Sequence, residues 1–576
     1  MKSYPVPRVW SGGVAAIGLV SAVYAGFACA PAPPRPEGPA AAVTAPSSAS
    51  PGTTLDASGV ARAVARFDES VAKSGGDPRA PGSKGLLDEI AAPLAAACAG
   101  GSLDPRTRSR VVKLLSDSRD PRGGPCLIRV LEGYRPGENE EDIRVVADAA
   151  GAMKLTAAGP ALLEVFATMR PSQPKAAIMA REVHDAVLAL VDTTWEPRLL
   201  TLVARPMAAD LRGEERKDEA FWQITAAEAL GMLRSEKAVT PLIDAVRSLD
   251  KPEVAPAALT ALIQIGKPAI APAVALLRAS GPDTKAPAGA GAQPPRPAVA
   301  LLSSREAGAL ILGTMGRGEA APHLIEALGS TDDYERSAFA REIVKLPSTP
   351  ATVKAFQSAC DRAPLVFSHG DEGRVRAALI SFAPQLFDAS LTPWIVSGAM
   401  AAKGAAGDVE ALRGASLVAA MKLMTAEQAG TVEKLARVRV GTTKGKPVTL
   451  GQGFERDYRV AKELVTGCAA RVDCYLDSLA DPLSQSLETQ FRGVKAATMV
   501  GVLGGAGDAI RLVDRIPALH NTAVRVAALL ALDHLCPQGN PEVVRRLEAL
   551  IVDAGPNAGG ALALKVTRYR LLARAQ

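Results

Sequence analysis

Histidine is the side chain most often used for metal binding and proton transfer near neutral pH, and this sequence has only five. None lies at zinc-ligand spacing from a second histidine or a cysteine. The nearest approach is His534 with Cys536, which has no companions. We therefore predict no metal site, no cofactor site and no catalytic residue. The five are His184, His323, His369, His520 and His534.

Two glycine-rich stretches invite comparison with nucleotide-binding loops. GTTKGKP, 441–447, has three residues between Gly441 and Gly445 where a P-loop needs four, and Pro447 replaces the Ser or Thr that would hold magnesium. GVLGGAGDA, 501–509, follows no predicted strand, and its glycines fall at the turn between two predicted helices. Neither stretch is predicted to bind a nucleotide.

The N-terminus has the pattern of an export signal. Lys2 and Arg8 precede an uncharged run from Val9 to Pro34 that is rich in small and apolar residues. We predict that residues 1–28 form a signal peptide. A membrane-spanning helix needs about 20 apolar residues, so an uncleaved membrane anchor is an alternative by length.

Two cleavage sites compete around Cys29. Residues 28–30, Ala-Cys-Ala, have the A-x-A form, but cleavage there would leave Pro31 directly after the cut. Residues 26–29, Gly-Phe-Ala-Cys, resemble a bacterial lipobox, although Gly and Phe stand where Leu and a small residue are usual. We favour lipidation of Cys29, which would anchor the chain to a membrane of the cell envelope. A soluble exported chain is the alternative.

Residues 29–56 are rich in Pro, Ala and Ser and have little to bury, so they are predicted to form a disordered tether. Without the two basic residues of the signal peptide, 64 of the 66 basic residues remain against 60 acidic ones. Proteins that bind nucleic acid usually carry a clear basic excess. A nearly neutral, exported chain is therefore predicted to have no nucleic-acid partner.

Six cysteines remain beside Cys29, an even number that permits up to three disulfides in an exported chain. Cys468 and Cys474 would lie about 9 Å apart along one continuous helix, too far to bond. However, Gly467 and the ARVD segment predict a tight turn between them. Cys98 and Cys126 flank one predicted helix and form the second candidate pair. Two further cysteines are predicted to be buried free thiols, Cys360 and Cys536.

A unit of two helices recurs along the chain. Three segments align: AAEALGMLRSEKAVTPLIDAVRSL from Ala226, EVAPAALTALIQIGKPAIAPAVALLR from Glu253 and EAGALILGTMGRGEAAPHLIEALGS from Glu306. Glycine suits the left-handed residue that follows a helix, and proline loses no hydrogen bond in a first turn. The predicted ends of the first helices are Gly231, Gly266 and Gly313, and the predicted starts of the second helices are Pro241, Pro272 and Pro322.

Units of two helices spanning about 35 to 50 residues are typical of α-solenoids. Aromatic residues are 4% of the chain against 48% hydrophobic residues in all, which favours close helix packing over aromatic-rich strands. The pattern resembles the HEAT repeats, specifically the phycobilisome-lyase-like HEAT repeats of bacteria. The resemblance implies an all-α fold over residues 57–576: an α-solenoid of stacked antiparallel helix pairs, or HEAT-like superhelix.

Long loops are predicted to interrupt the solenoid at 281–297 and 438–454, the second as a projecting β-hairpin. The function that this organisation favours is a non-enzymatic scaffold of the bacterial cell envelope that binds a protein partner and is held by a lipid anchor. A lyase or chaperone-like subunit on the same fold is the alternative, on fold analogy alone. The sequence does not name the partner.

Overall fold

The computed structural model describes residues 55–575 apart from ten gaps, which are 102, 208–210, 249, 280–301, 330–332, 364, 368–371, 444–445, 480–485 and 555–560. The predicted signal peptide, Cys29, nearly all of the predicted tether and the predicted loop 281–297 lie outside the described residues.

The described residues form 28 α-helices, numbered here in chain order. They are α1 Ala57–Lys73, α2 Pro81–Ala99, α3 Pro105–Ser118, α4 Gly124–Glu132, α5 Glu140–Met153, α6 Gly159–Thr168, α7 Pro174–Ala177, α8 Ala180–Leu190, α9 Glu196–Ala204, α10 Gly213–Met232, α11 Val239–Arg247, α12 Ala255–Ile265, α13 Ile270–Leu277, α14 Ser304–Met315, α15 Ala321–Gly329, α16 Asp333–Ile343, α17 Pro350–Arg362, α18 Glu372–Ser381, α19 Leu391–Ala401, α20 Ala406–Leu423, α21 Ala429–Ala436, α22 Glu455–Cys468, α23 Val472–Asp477, α24 Leu487–Leu503, α25 Ala506–Arg515, α26 Thr522–Leu535, α27 Pro541–Ala554 and α28 Ala561–Arg574.

The described residues also form four short strands. β1 (Val366–Phe367) and β2 (Lys403–Gly404) pair in parallel, a contact that the sequence did not predict. β3 (Arg439–Thr443) and β4 (Lys446–Thr449) pair antiparallel. The second pair confirms the hairpin predicted within 438–454.

The chain divides into two compact units, with the described residues up to Ala261 in an N-terminal unit and those from Leu262 in a C-terminal unit. In the N-terminal unit the first helices of successive pairs pack together, α3 on α5 and α5 on α8, and the second helices do likewise, α4 on α6 and α9 on α11. In the C-terminal unit α24 packs on α26, and α25 on α27. This stacking of like helix on like helix is an all-α solenoid of helix pairs, as the sequence predicts.

The turn inside a helix pair has the same construction in five places. The first helix ends, one residue adopts a positive φ, a 3₁₀ turn of three residues follows, and the second helix begins. The residues with positive φ are Arg119, Lys154 and Arg234, each at 52°, Gly266 at 76° and Gly316 at 63°. Pro241, Pro272 and Pro322 all lie in the first turn of a second helix, as predicted.

Only one of the three glycines predicted to end a helix does so. Gly266 follows the last residue of α12, but Gly231 lies inside α10 and Gly313 inside α14, so those two predictions are wrong. A Cβ on Gly313 would come within 2.6 Å of the Cβ of Glu342 in α16. The glycine therefore allows α14 and α16 to approach closely, which is a second reason for glycine in a helix.

Among the described residues, no single helix is both long and apolar enough to cross a membrane. The segments Ala255–Ile265 and Lys267–Leu277 pass such a test only when taken together, and the chain bends between them by 116°.

Candidate functional site

The last helix of the C-terminal unit bonds to residues near the beginning of that unit. Arg574 donates from Nε to the carbonyl oxygen of Gly316 at 2.8 Å, across 258 residues. Arg570 donates to the carbonyl oxygen of Lys345, across 225 residues. A solenoid in which each repeat touched only its neighbours would not bring such residues together. We call this contact of α28 with Gly316 and Lys345 the closure.

Asp533 forms ion pairs with both arginines of the closure. Its carboxylate lies 3.0 Å from Nη2 of Arg570 and 3.1 Å from Nη1 of Arg574. Asp533 is 8% exposed and Arg570 is 5% exposed. Burial lowers the pKa of Arg570 to about 10, opposed by the charge of Asp533. Arg570 is still a cation at neutral pH, so the buried carboxylate offsets the cost of burying two guanidinium groups.

A ring contact connects the closure with another surface of the same unit. His534, next to Asp533 on α26, stacks on Phe387 with 4.8 Å between the ring centroids. Gly501 of α24 lies so close to the Phe387 ring that a Cβ would not fit. Phe387 itself has a φ of 50°, which non-glycine residues rarely adopt. Such a conformation persists only where the surrounding contacts hold it, so these contacts fix the position of the Phe387 ring.

Phe387 lines a cleft of about 590 Å³ in the C-terminal unit. Its apolar lining also includes Val353 of α17 and Val502 and Leu503 at the end of α24. The polar residues of its lining are Ser348, Thr349, Lys354, Gln357, Asp388, Ser390 and Thr425. An apolar centre with a polar rim is the arrangement that receives an anchoring side chain of a partner protein. We call it the α17–α24 cleft.

Local hydrogen bonds fix the walls of the α17–α24 cleft. Thr349 and Thr352 form a capping box at the start of α17: the backbone N–H of Thr352 donates to the Thr349 hydroxyl at 3.2 Å, and the backbone N–H of Thr349 donates to the Thr352 hydroxyl at 2.7 Å. In the loop before α19, the backbone N–H of Ser390 donates to Asp388 at 2.8 Å. These bonds satisfy backbone groups that a loop would otherwise leave unpaired, and they hold the walls of the cleft in place.

Both candidate cysteine pairs lie at disulfide distance. The Cα atoms of Cys98 and Cys126 are 5.3 Å apart, and those of Cys468 and Cys474 are also 5.3 Å apart. A tight turn separates the second pair, as the ARVD segment predicts, because α22 ends at Cys468 and α23 begins at Val472. Cys360 and Cys536 are buried and unbonded.

The structure does not gather the histidines into a site. His184 lies 2.7 Å from Glu228 and 3.0 Å from Asp185. Burial would lower the pKa of His184, but hydrogen bonds to Asp185 and Glu228 outweigh it and raise the pKa to about 9. In the described part of the chain, no three His, Cys, Asp or Glu side chains are grouped to hold a metal ion. His369 lies outside the described residues.

Sequence reasoning missed the buried cations that bond to helix C-termini. Nζ of Lys495 is buried and donates to the carbonyl oxygens of Lys422 at 2.9 Å and Met424 at 2.6 Å, at the end of α20. Nζ of Lys251 donates in the same way to Val203 at the end of α9, at 2.9 Å. Burial lowers the pKa of both lysines. Carbonyl groups at a helix C-terminus carry partial negative charge, which favours a buried cation beside them. The sequence signal for Lys495 was a lysine within the otherwise uncharged, Ala-rich phrase VKAATMV.

Comparison with known proteins supports the repeat. Residues 222–248 match the model of the PBS lyase HEAT-like repeat. They run from the second half of α10 through the Arg234 turn to the end of α11. Residues 222–248 are therefore similar to a HEAT-like repeat, and the other described helix pairs stack as an α-solenoid.

Two crystal structures of importin beta are similar to this chain at low identity. The form grown in ammonium sulfate is 11% identical over 84% of this chain and 74% of its own, with a TM-score of 0.29. The form grown in polyethylene glycol is 12% identical over 87% of this chain and 81% of its own, with a TM-score of 0.31. TM-scores of this size carry no argument about function. A search of curated proteins found no match.

Proposed function

We propose that this chain is a non-enzymatic scaffold of the bacterial cell envelope, and that the α17–α24 cleft is where a protein partner binds. The observation that carries the proposal is the composition of the cleft, in which Val353, Phe387 and Leu503 come from three segments far apart in the sequence. Binding energy at protein interfaces is concentrated in such preformed apolar pockets. Exposed Lys354 and half-buried Asp388 at the rim would orient the partner by charge.

Site-specific photo-crosslinking in the native envelope tests this proposal. A photoreactive residue at Ser390, which is exposed and lines the cleft, should form a defined adduct with a partner protein. The same residue at His520, which is exposed and absent from the lining, should not form it. Leu503→Glu places a charge in the apolar wall and should reduce the Ser390 adduct about tenfold, since a lost anchor contact costs over 1 kcal/mol.

Leu487→Glu is the matched control, because Leu487 begins the same helix, is 63% exposed and does not line the cleft. Leu503 packs partly against the core, so both variants must show the wild-type melting temperature within a few degrees. If Leu503→Glu and Leu487→Glu give equal amounts of adduct, the cleft is not the binding site.

The envelope location rests on the N-terminal sequence and is tested separately. Metabolic labelling with a fatty-acid analogue should mark the wild-type chain through Cys29 and should not mark Cys29→Ala. A mature chain that begins at Pro31 and carries no label would instead show cleavage after the A-x-A segment and remove the lipid anchor from the proposal.

A further inference from the structure

The two cysteine pairs differ in how far their residues are buried. Cys98 is 2% exposed and Cys126 is 0% exposed, so a reducing thiol cannot reach either sulfur in the folded chain. Cys468 is 2% exposed, but Cys474 is only partly buried at the edge of the core. Thiol–disulfide exchange requires a thiolate to approach a sulfur directly. Access therefore distinguishes the pair Cys468–Cys474 from the pair Cys98–Cys126.

The loop closed by Cys468 and Cys474 contains a strained residue. The backbone N–H of Arg471 donates to the carbonyl oxygen of Cys468 at 3.0 Å, which closes a four-residue turn. Ala469, the second residue of that turn, has φ 50° and ψ −119°. These are the angles of the first central residue of a type II′ turn, where glycine is strongly preferred. The bonded form thus holds an alanine in a conformation that alanine rarely adopts.

The helix that carries Cys474 stays attached without the sulfur bond. Tyr475 and Leu476 of α23 are 0% and 2% exposed in the core of the C-terminal unit. Asp477 of α23 also lies 2.7 Å from Nη2 of Arg515 in α25. The Tyr475 hydroxyl also donates to the carbonyl oxygen of Ala469 at 2.9 Å. Reduction of the bond should therefore remove only the covalent constraint on the Cys468–Cys474 loop and leave the unit folded.

We propose that Cys468–Cys474 is a redox-active disulfide that exchanges with a protein dithiol, whereas Cys98–Cys126 is a structural bond. One thiolate of the dithiol attacks Sγ of Cys474 and forms a mixed disulfide, and Cys468 leaves as a thiolate that takes up a proton. The second thiol of the dithiol then attacks the mixed disulfide and releases Cys474. The dithiol is oxidised to a disulfide and both cysteines are reduced. The proposal does not depend on the α17–α24 cleft.

The test uses the purified full chain and dithiothreitol as the probe. The chain is equilibrated at increasing dithiothreitol concentration without denaturant, its thiols are blocked, and peptides are analysed by mass spectrometry. Cys468 and Cys474 should become blocked at a dithiol concentration at least about tenfold lower than Cys98 and Cys126, while the circular dichroism stays unchanged. Reduction of both pairs together, or earlier reduction of Cys98–Cys126, would overturn the proposal.

A pair of variants tests whether the backbone strain at Ala469 affects reduction of the disulfide. Ala469→Gly relaxes the turn, so it should stabilise the oxidised form and raise the dithiol concentration needed at Cys468–Cys474 by about fivefold. Gly467→Ala is the control, because Gly467 lies in α22 and a Cβ there would meet no atom within 4 Å. It should leave the dithiol concentration unchanged. Equal shifts in the two variants would contradict a role for the Ala469 strain.

Discussion

The turns within helix pairs are built from different residues in the two units. The N-terminal unit places Arg119, Lys154 and Arg234 at positive φ, whereas the C-terminal unit uses Gly266 and Gly316 at the corresponding points. A cation after a helix C-terminus gains from the helix dipole, which offsets part of the strain of a left-handed conformation. Glycine avoids the strain but gains nothing from the dipole. A cationic residue and a glycine can both end a helix in this way, so the turn by itself does not determine which of the two is present.

At Gly316 a tertiary contact explains why the turn residue is glycine. A Cβ there would fall on the guanidinium group of Arg570, and the carbonyl oxygen of Gly316 accepts from Arg574. No closure of this range is seen among the described residues of the N-terminal unit, where Trp222 bonds to Phe166 across 56 residues. The turns of the N-terminal unit therefore carry side chains, whereas the closure leaves no room for one at Gly316.

The largest expected effect is on the closure itself. Asp533→Ala removes the buried carboxylate that pairs with both Arg570 and Arg574, which should lower the free energy of unfolding of the C-terminal unit by about 3 to 5 kcal/mol. The control is Asp514→Ala, which removes an exposed partner of Arg546 and should lower the free energy of unfolding by less than about 1 kcal/mol. Urea unfolding of both variants measures the difference. Similar losses would mean that the closure does not stabilise the unit.

Gly316→Ala should lower the free energy of unfolding by about 3 kcal/mol, because an alanine there is strained at positive φ and also clashes with Arg570. Gly266→Ala is the comparison without a clash. Gly266 has φ 76° and ψ −129°, which alanine adopts less readily than the αL angles of Gly316, φ 63° and ψ 25°, and its nearest neighbouring atom is 3.8 Å from the added Cβ. Its loss of unfolding free energy, about 2 kcal/mol, should therefore come from backbone strain alone. A loss of only about 1 kcal/mol in Gly316→Ala, the size of αL strain by itself, would remove the closure from the explanation of Gly316.

The repeat was predictable because its signals are local. Pro241, Pro272 and Pro322 mark helix starts through the missing N–H of proline, and Gly266 marks a helix end through its freedom at positive φ. The turn between Cys468 and Cys474 was predictable for the same reason, since a continuous helix could not bring the two residues together.

The closure and the cleft were not predictable from one sequence. Arg570 and Arg574 look like ordinary cations near the end of a helix, and only the fold brings Asp533 and Gly316 to them. Gly313 failed as a predicted helix end because a glycine in a helix can also serve the close approach of a second helix, here at Glu342. Contacts across hundreds of residues leave no periodic signal.

A pH titration tests the polar contact that joins α8 and α10 in the N-terminal unit. Contact with Asp185 and Glu228 raises the pKa of His184 to about 9 from its ordinary 6.5, although burial opposes the shift. A raised pKa stabilises the fold fully below pH 6.5, and the gain is lost as the pH rises through 9. His184→Gln should therefore be less stable than wild type by about 2 kcal/mol at pH 6 and equally stable above pH 9.5. A difference that does not change with pH would exclude a charged His184.

The smallest expected change in the free energy of unfolding is at Lys154, a turn residue of the N-terminal unit. Lys154 is exposed and has a φ of 52° after α5. Lys154→Gly removes strain of about 1 kcal/mol, but it also removes a cation from a helix C-terminus and gives the unfolded chain more freedom. These terms nearly cancel, so the free energy of unfolding should change by less than about 0.5 kcal/mol. Gly316→Lys, the reverse change at the closure, should cost at least about 3 kcal/mol, because its side chain meets Arg570. Urea unfolding of the two variants gives both values, and a large loss in Lys154→Gly would show that the N-terminal unit also depends on the residue at its turns.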